Sequence, residues 1–132
     1  MEYVKSFRDL EAYKLSRQLS REIFERSKKF PKEEMYSLTD QIRRSSSSVG
    51  GSRRCGTEAW AKRNYEKHFV SKLTDADGEQ LETQHWIETA LDCFYISNES
   101  ANNLLERYFT VGKMLNSMME KADKFCKKPL NN

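Results

Sequence analysis

Proline and glycine are scarce in this sequence, with two prolines and five glycines among 132 residues. Strand-and-turn architectures need both at their corners, so their scarcity argues against a sandwich or a barrel. No run approaches the roughly 18 consecutive apolar residues that a membrane-spanning helix requires. The opening residues, Met1 to Ser6, lack the apolar core of a secretory leader. Cysteine is sparse too: Cys55, Cys93 and Cys126 form no CxxC or other close pair. An odd, unframed set of thiols fits a reducing cytoplasm better than secretion. A cytoplasmic protein with no membrane contact is therefore expected. Large charge of one sign is also missing. The net charge of +3, from 23 basic and 20 acidic residues, permits an anionic partner without demanding one.

What is abundant is charge interleaved with apolar residues, 33% and 37% of the chain, with aromatics at 11%. That aromatic content offers enough large apolar surface to offset chain entropy, and 132 residues suit one domain with a single core. The periodicity predicts an all-α fold, an antiparallel up-down four-helix bundle with long helices at about 7–29, 32–49, 58–94 and 98–126. In the first, Ser6 and Asp9 form a capping box. Ala12, Leu15, Leu19, Ile23 and Phe30 recur at helical spacing, and Arg17, Arg21, Glu22, Glu25 and Arg26 face water. Phe30-Pro31 closes it, and Pro31 opens the second, striped by Met35, Leu38, Ile42, Ser45 or Ser46, and Val49. The serine run Ser45 to Ser48 reads as a close helix contact. A phosphate-binding loop is the weaker reading, since GxxxxGK[ST] is absent. Tyr65, Phe69, Leu73, Ala76, Gln80, Thr83, Ile87 and Leu91 mark the third helix, in which Gly78 either weakens the helix or admits a neighbouring backbone. Ser97 or Asn98 caps the fourth, striped by Ala101, Leu104, Tyr108, Val111, Leu115, Met118, Ala122 and Phe125. Between the second and third, residues 50–57 make an atypical glycine-rich loop. The tail from Cys126 is expected to fray.

No catalytic set emerges. Glu82-Thr83-Gln84-His85 is an ExxH, but a di-iron bundle needs two of these and two further inward glutamates. The other histidine, His68, stands 17 residues earlier, and at about 100° per residue it falls off the face of His85. Cys55 beside Arg53 and Arg54 could have a lowered thiol pKa, yet no base accompanies it. Cys93 and Cys126 lie near helical stripes and read as buried small hydrophobes. No cofactor, metal or small-molecule substrate is expected.

Basic residues carry more. Arg43-Arg44, Arg53-Arg54 and Lys62-Arg63 are expected to gather at one end of the bundle, with Lys121, Lys124, Lys127 and Lys128 closing the fourth helix. Trp60 and Tyr65 could stack on bases beside them, so the pattern fits phosphate binding. The plainer alternative is a solvated surface, because a third of the chain is charged and cations suit helix C-termini. Self-association is the third expectation. Phe7, Leu10 and Tyr13, and then Leu105, Phe109 and Met119, form second apolar stripes beside the main ones, beyond what a narrow seam uses.

Laid out in order, these words resemble the 23S rRNA intervening-sequence protein family of small bacterial four-helix bundles. The resemblance rests on Phe7-Arg8-Asp9-Leu10, Phe30-Pro31-Lys32-Glu33-Glu34, and Tyr36 through Ser45 followed by Ser48-Val49. Leu81-Glu82-Thr83-Gln84 and Gly112-Lys113-Met114-Leu115-Asn116 complete it. One departure stands out: where the family reads Asn-Ile-Ala-Glu-Gly or similar, this chain has Gly50-Gly51-Ser52-Arg53-Arg54-Cys55-Gly56-Thr57. That stretch resembles a cloning or linker scar, natural divergence being the other explanation, so Arg53, Arg54 and Cys55 are not read as native functional residues. The resemblance implies a homo-oligomer, a pentameric ring with a basic surface, whose partner is RNA or a reverse-transcriptase-like enzyme. It carries over no site residue. The expected function is a non-enzymatic bundle contacting RNA through Arg43, Arg44, Lys62 and Arg63. The alternative is a protein–protein adaptor or scaffold without nucleic-acid contact.

Overall fold

The computed structural model describes residues 10–50 and 63–126, and all regular structure in them is helical. The capping box at Ser6 and Asp9, the second-stripe Phe7, the start of the first helix at 7, the segment 51–62 and the tail 127–132 lie outside the described residues. Four long helices pack together: α1 (Glu11–Ser27), α2 (Leu38–Gly50), α3 (Glu66–Asp92) and α4 (Asn98–Glu120), followed by a short α5 (Ala122–Phe125).

The buried stripe of α1 is Ala12, Ser16, Leu19, Ile23 and Ser27, with Phe30 beyond it. Ser16 takes the inward place expected of Leu15, which is only half-buried. A serine is tolerated there because its hydroxyl donates to the Ala12 carbonyl at 2.6 Å, so no polar group is left bare. In α3 the stripe is Phe69, Leu73, Ala76, Gln80, Thr83, Ile87 and Ala90. Ala90 replaces the expected Leu91, and Tyr65 stays outside at 65% exposed. In α4 Ala101, Leu104, Tyr108, Val111, Leu115 and Met118 all face inward, and Ala122 continues the stripe into α5. Each fully buried large aliphatic or aromatic side chain contributes roughly 1.5–3 kcal/mol relative to exposure.

Several element boundaries differ from the sequence reading, and the fourth helix ends at Glu120 instead of 126, where Lys121 leaves helical geometry with φ −108° and ψ 29° before α5. The second helix begins at Leu38, not at residue 32. Pro31 instead starts a single 3-10 turn, Lys32–Glu34, closed by the Glu34 amide donating to the Pro31 carbonyl at 2.9 Å. The Ser37 hydroxyl donates to the Glu34 carboxylate at 2.6 Å and holds the corner, which leaves Met35 and Tyr36 in solvent. The helix that carries the third stripe begins at Glu66, because residues 63–65 form a turn and Tyr65 is extended, with φ −126° and ψ 102°; the expected start at 58 lies outside the described residues. It ends at Asp92 because Phe94 turns the chain with φ 63°, the left-handed region that stops a helix. Gly50, expected in a loop, is the buried last residue of α2. The fourth helix opens where expected, the Ser97 hydroxyl accepting from the Ser100 amide at 3.1 Å.

Named pairs fix how the helices meet. Ser45 of α2 and Thr83 of α3 share a hydroxyl hydrogen bond of 2.8 Å inside the core, so the serine run does serve a close helix contact. Arg26 donates to Ser100 at 3.0 Å, and Arg107 grips the Glu22 carboxylate with two nitrogens, one at 2.7 Å. Near the α1–α2 corner the Tyr95 hydroxyl donates to Glu34 at 2.7 Å, and its ring lies 5.5 Å from that of Phe30. Donation to that carboxylate pushes the Tyr95 pKa up to about 12.

The Glu22–Arg107 pair gives the fold a defined acid response. The hydrogen bond from Arg107 holds the Glu22 carboxyl below its usual range. A carboxyl whose folded pKa lies below its unfolded value of about 4.3 stabilises the fold above that pH, and the contribution fades as pH drops through the folded value. The stability gap between the native chain and Glu22→Gln should therefore be full at neutral pH and close at acid pH. Urea midpoints at several pH values measure it, and a gap independent of pH would contradict the pairing.

Candidate nucleic-acid interface

Of the four residues singled out from sequence, the three that the structure describes, Arg43, Arg44 and Arg63, do not form one patch. Arg43 and Arg44, neighbours in α2, leave the helix in different directions. The Arg43 Nε donates to the Ser27 hydroxyl at 2.7 Å, and its guanidinium lies 4.4 Å from the centre of the Phe24 ring, on the α1 side. Arg44 turns to α3, with one nitrogen 2.8 Å from the Glu82 carboxylate and another 3.6 Å from Glu79. Arg63 lies in the turn before α3 and is engaged within the protein. Glu79 stands 13 residues beyond Glu66, on the order of 20 Å along the helix axis. Arg44 and Arg63 are therefore far apart, and the expected gathering at one bundle end does not occur for them. Lys62, Arg53, Arg54 and Trp60 lie outside the described residues.

The remaining arginines sort by whether the fold uses them. Arg26 is bonded to Ser100 and Arg107 to Glu22. Arg17 and Arg21 alone among the described arginines have no hydrogen bond, ion pair or ring contact. Both are exposed and one helical turn apart. Both line the same groove between α1 and α2, a concavity of about 400 Å³ bordered by Tyr13, Ser16, Ser20, Phe24, Ser46 and Ser47.

Helical geometry explains this grouping. Tyr13, Arg17, Ser20 and Phe24 follow each other at spacings of 4, 3 and 4 residues, so they share one face just beside the buried stripe. The facing positions of α2 are Ser46 and Ser47, and so short a side chain keeps the trough open. The hydroxyls of both bond back to carbonyls of Arg43 or Arg44. Phe24, 47% exposed, supplies an aromatic wall. Of the nearby lysines, Lys14 is paired with Glu11 at 3.4 Å and Lys28 with Glu25 at 3.2 Å. The sequence reading placed Arg17 and Arg21 in water, where they are. It missed that an aromatic stands one turn before Arg17 and another one turn after Ser20 on the same face, the signal that could have found the groove.

The other candidates find ordinary partners. Glu82 of the ExxH is held by Arg44, and the His85 ring packs edge-on against Trp86 at 4.7 Å. Among the described residues no group of three or more His, Cys, Asp or Glu is arranged to hold a metal ion. Cys93, expected to be buried, is exposed, because the helix ends one residue before it. Cys126 is half-buried, and burial pushes its thiol pKa up. Of the second stripes, Leu10 joins the core, while Tyr13, Leu105 and Met119 are half-buried against it. Phe109 remains outside, with the Lys113 ammonium 4.9 Å from its ring centre. No described helix is long and apolar enough to cross a membrane.

Comparison with known proteins adds the following. The sequence matches the family described as 23S rRNA-intervening sequence protein over residues 8–117. A crystal structure of a protein of unknown function from the S23 ribosomal protein family of Bacteroides thetaiotaomicron has a similar fold, with a TM-score of 0.65. The two are 22% identical, and the match covers 83% of this chain and 95% of that one. No curated protein matches.

Proposed function

We propose, from the premise that the chain belongs to the 23S rRNA-intervening sequence protein family, that it is a non-enzymatic, cytoplasmic helical bundle that binds RNA as a homo-oligomer. The observation that carries the reading is the pair Arg17 and Arg21. They are cations the fold itself does not use, placed together on one groove. Guanidinium groups match phosphate oxygens in geometry and stay charged at every physiological pH. Arg43, held beside the same groove by Ser27 and Phe24, contributes a fixed positive field. Arg44 serves the fold first, through Glu82. A protein–protein adaptor remains the second reading, favoured by Tyr36 and Phe94, exposed to 94% and 92%.

The bundle order is read as up-down with antiparallel neighbours. Glu22 meets Arg107 while Arg26 meets Ser100, and Thr74 donates to Met119 while Gln80 sits against Gly112. In both pairs of helices, later positions on one helix meet earlier positions on the other, which supports that order. Exposed Leu81 and Phe109 supply apolar surface for self-association, and the resemblance of the sequence implies a ring of five copies.

The test is RNA affinity across a salt series, read beside the particle mass from light scattering. Arg17→Glu with Arg21→Glu is expected to weaken binding at least tenfold at low salt and to flatten the salt dependence, because two phosphate contacts are lost. Circular dichroism should stay unchanged, since both side chains are exposed. Unaltered affinity in the double variant would sink the groove's role, and a monomeric mass would sink the oligomer.

A further inference from the structure

The α1–α2 groove has more than charge, and its second component sets the kind of nucleic acid it takes. Resting on the RNA-binding reading, we propose that this groove holds an unpaired strand, with bases stacked at Phe24 and phosphates on Arg17 and Arg21. A duplex needs only phosphate contacts and shape, because its base faces are hidden in the stack. An unpaired strand offers π faces as well, and proteins that take one combine a basic track with aromatic platforms.

The groove has both components in register. Tyr13 and Phe24 stand 11 residues apart on α1, about 16 Å along the axis, and Arg17, Ser20 and Arg21 lie between them. Phe24 is half-exposed, its ring flanked by the Arg43 guanidinium at 4.4 Å and the Lys28 ammonium at 5.2 Å, and an incoming base would displace the flexible lysine. Next to it the Arg43 guanidinium is pinned by Ser27 at 2.7 Å and lies 4.4 Å from the centre of the ring, a fixed planar group on which a second base can lie. Ser20 makes no hydrogen bond within the fold, which leaves its hydroxyl available to a phosphate or sugar oxygen. A site for phosphate alone would gain nothing from an aromatic side chain held half in water between cations. A purely apolar partner helix would leave the Arg17 and Arg21 guanidiniums without counter-charge, whereas a nucleic-acid strand supplies phosphates to them.

The experiment measures anisotropy of labelled oligouridine, the corresponding deoxyribose strand and a hairpin duplex of equal phosphate count, at matched salt. Both single strands should bind about tenfold tighter than the duplex. A preference for the ribose strand over the deoxyribose one would assign Ser20 or its neighbours to the 2′-hydroxyl. Phe24→Ala should lower single-strand affinity about tenfold, leave duplex affinity alone and keep the salt slope, because no phosphate contact changes. Phe24→Leu, which keeps the apolar bulk but loses the ring, should behave the same way and covers the case in which alanine disturbs the fold. Duplex binding as tight as single-strand binding, or single-strand affinity indifferent to both Phe24 variants, overturns the unpaired-strand assignment and leaves RNA binding standing. Absence of binding to all three probes by the native chain at low salt overturns the RNA reading itself.

Discussion

Replacing Tyr108 by alanine is expected to cost roughly 3–5 kcal/mol, the range for deleting a buried aromatic ring, while replacing it by phenylalanine should stabilise the protein. Tyr108 lies in the middle of the α4 stripe with none of its surface exposed. Its ring belongs to the core cluster, and alanine would leave a cavity there. Its hydroxyl is different. It is buried among the described residues without a hydrogen-bond partner, and burial drives the pKa of the phenol far above its usual value. A buried hydroxyl that lost its water hydrogen bonds and gained none in return carries a desolvation cost of about 1–3 kcal/mol. Tyr108→Phe keeps the ring and removes that cost, so a gain of about 1 kcal/mol is expected after allowing for relaxation. Urea denaturation of the three proteins checks both values. If Tyr108→Phe were instead destabilised by more than about 1 kcal/mol, the hydroxyl would have to be satisfied in solution.

The inward positions of this bundle could be read from the sequence to different depths, for physical reasons. The α4 stripe is recovered because Ala101, Leu104, Tyr108, Val111, Leu115 and Met118 keep an unbroken alternation of three and four residues, although Leu105, Phe109, Met114 and Met119 are apolar beside it. In α1 the apolar pattern points to Leu15, yet Ser16 is the buried residue. A serine that bonds to its own helix carries no unmet polar group, and composition cannot distinguish it from a serine in water. The 3-10 turn at Lys32–Glu34 was hidden for a related reason. Proline with two following acids is a good helix start, but here the helix waits until Leu38, after Ser37 has closed the corner on Glu34. Phe94 gave no signal, because nothing in its chemistry announces a φ of 63°.

The candidate site was less legible still. Adjacent basic residues look like a cluster along the chain, but neighbours on a helix diverge by about 100°, and Arg43 and Arg44 go to different partners. What the sequence cannot reveal is which cations the fold has already spent. Arg44, Arg26 and Arg107 are each bonded to another helix. Arg17 and Arg21 gain interest only once those pairings are known.

Gly112→Leu should destabilise the protein by about 1–3 kcal/mol, whereas Gly78→Ala should stabilise it. Gly112 lies where α4 crosses α3, and a Cβ built there would come 2.9 Å from the Gln80 side-chain nitrogen and 3.5 Å from an Asp77 oxygen. Gln80 is buried and held at both ends: it donates to Asp77 at 2.9 Å and accepts from Gln84 at 2.7 Å. It cannot swing away without leaving its amide unbonded in the core, at about 1–3 kcal/mol. If it stays, the leucine must push the helices apart, an overpacking cost of about 1–3 kcal/mol. Either route or a mixture of the two follows from the same close approach. At Gly78 nothing lies within 4 Å of the added carbon. There the substitution only removes backbone freedom from the unfolded chain, a gain of about 0.5–1 kcal/mol in an exposed helix. Thermal or urea unfolding of the two variants should therefore move in opposite directions. Gly112→Leu as stable as the native protein would mean that α3 and α4 do not meet at Gln80, and the antiparallel register proposed for the two helices would fall with it.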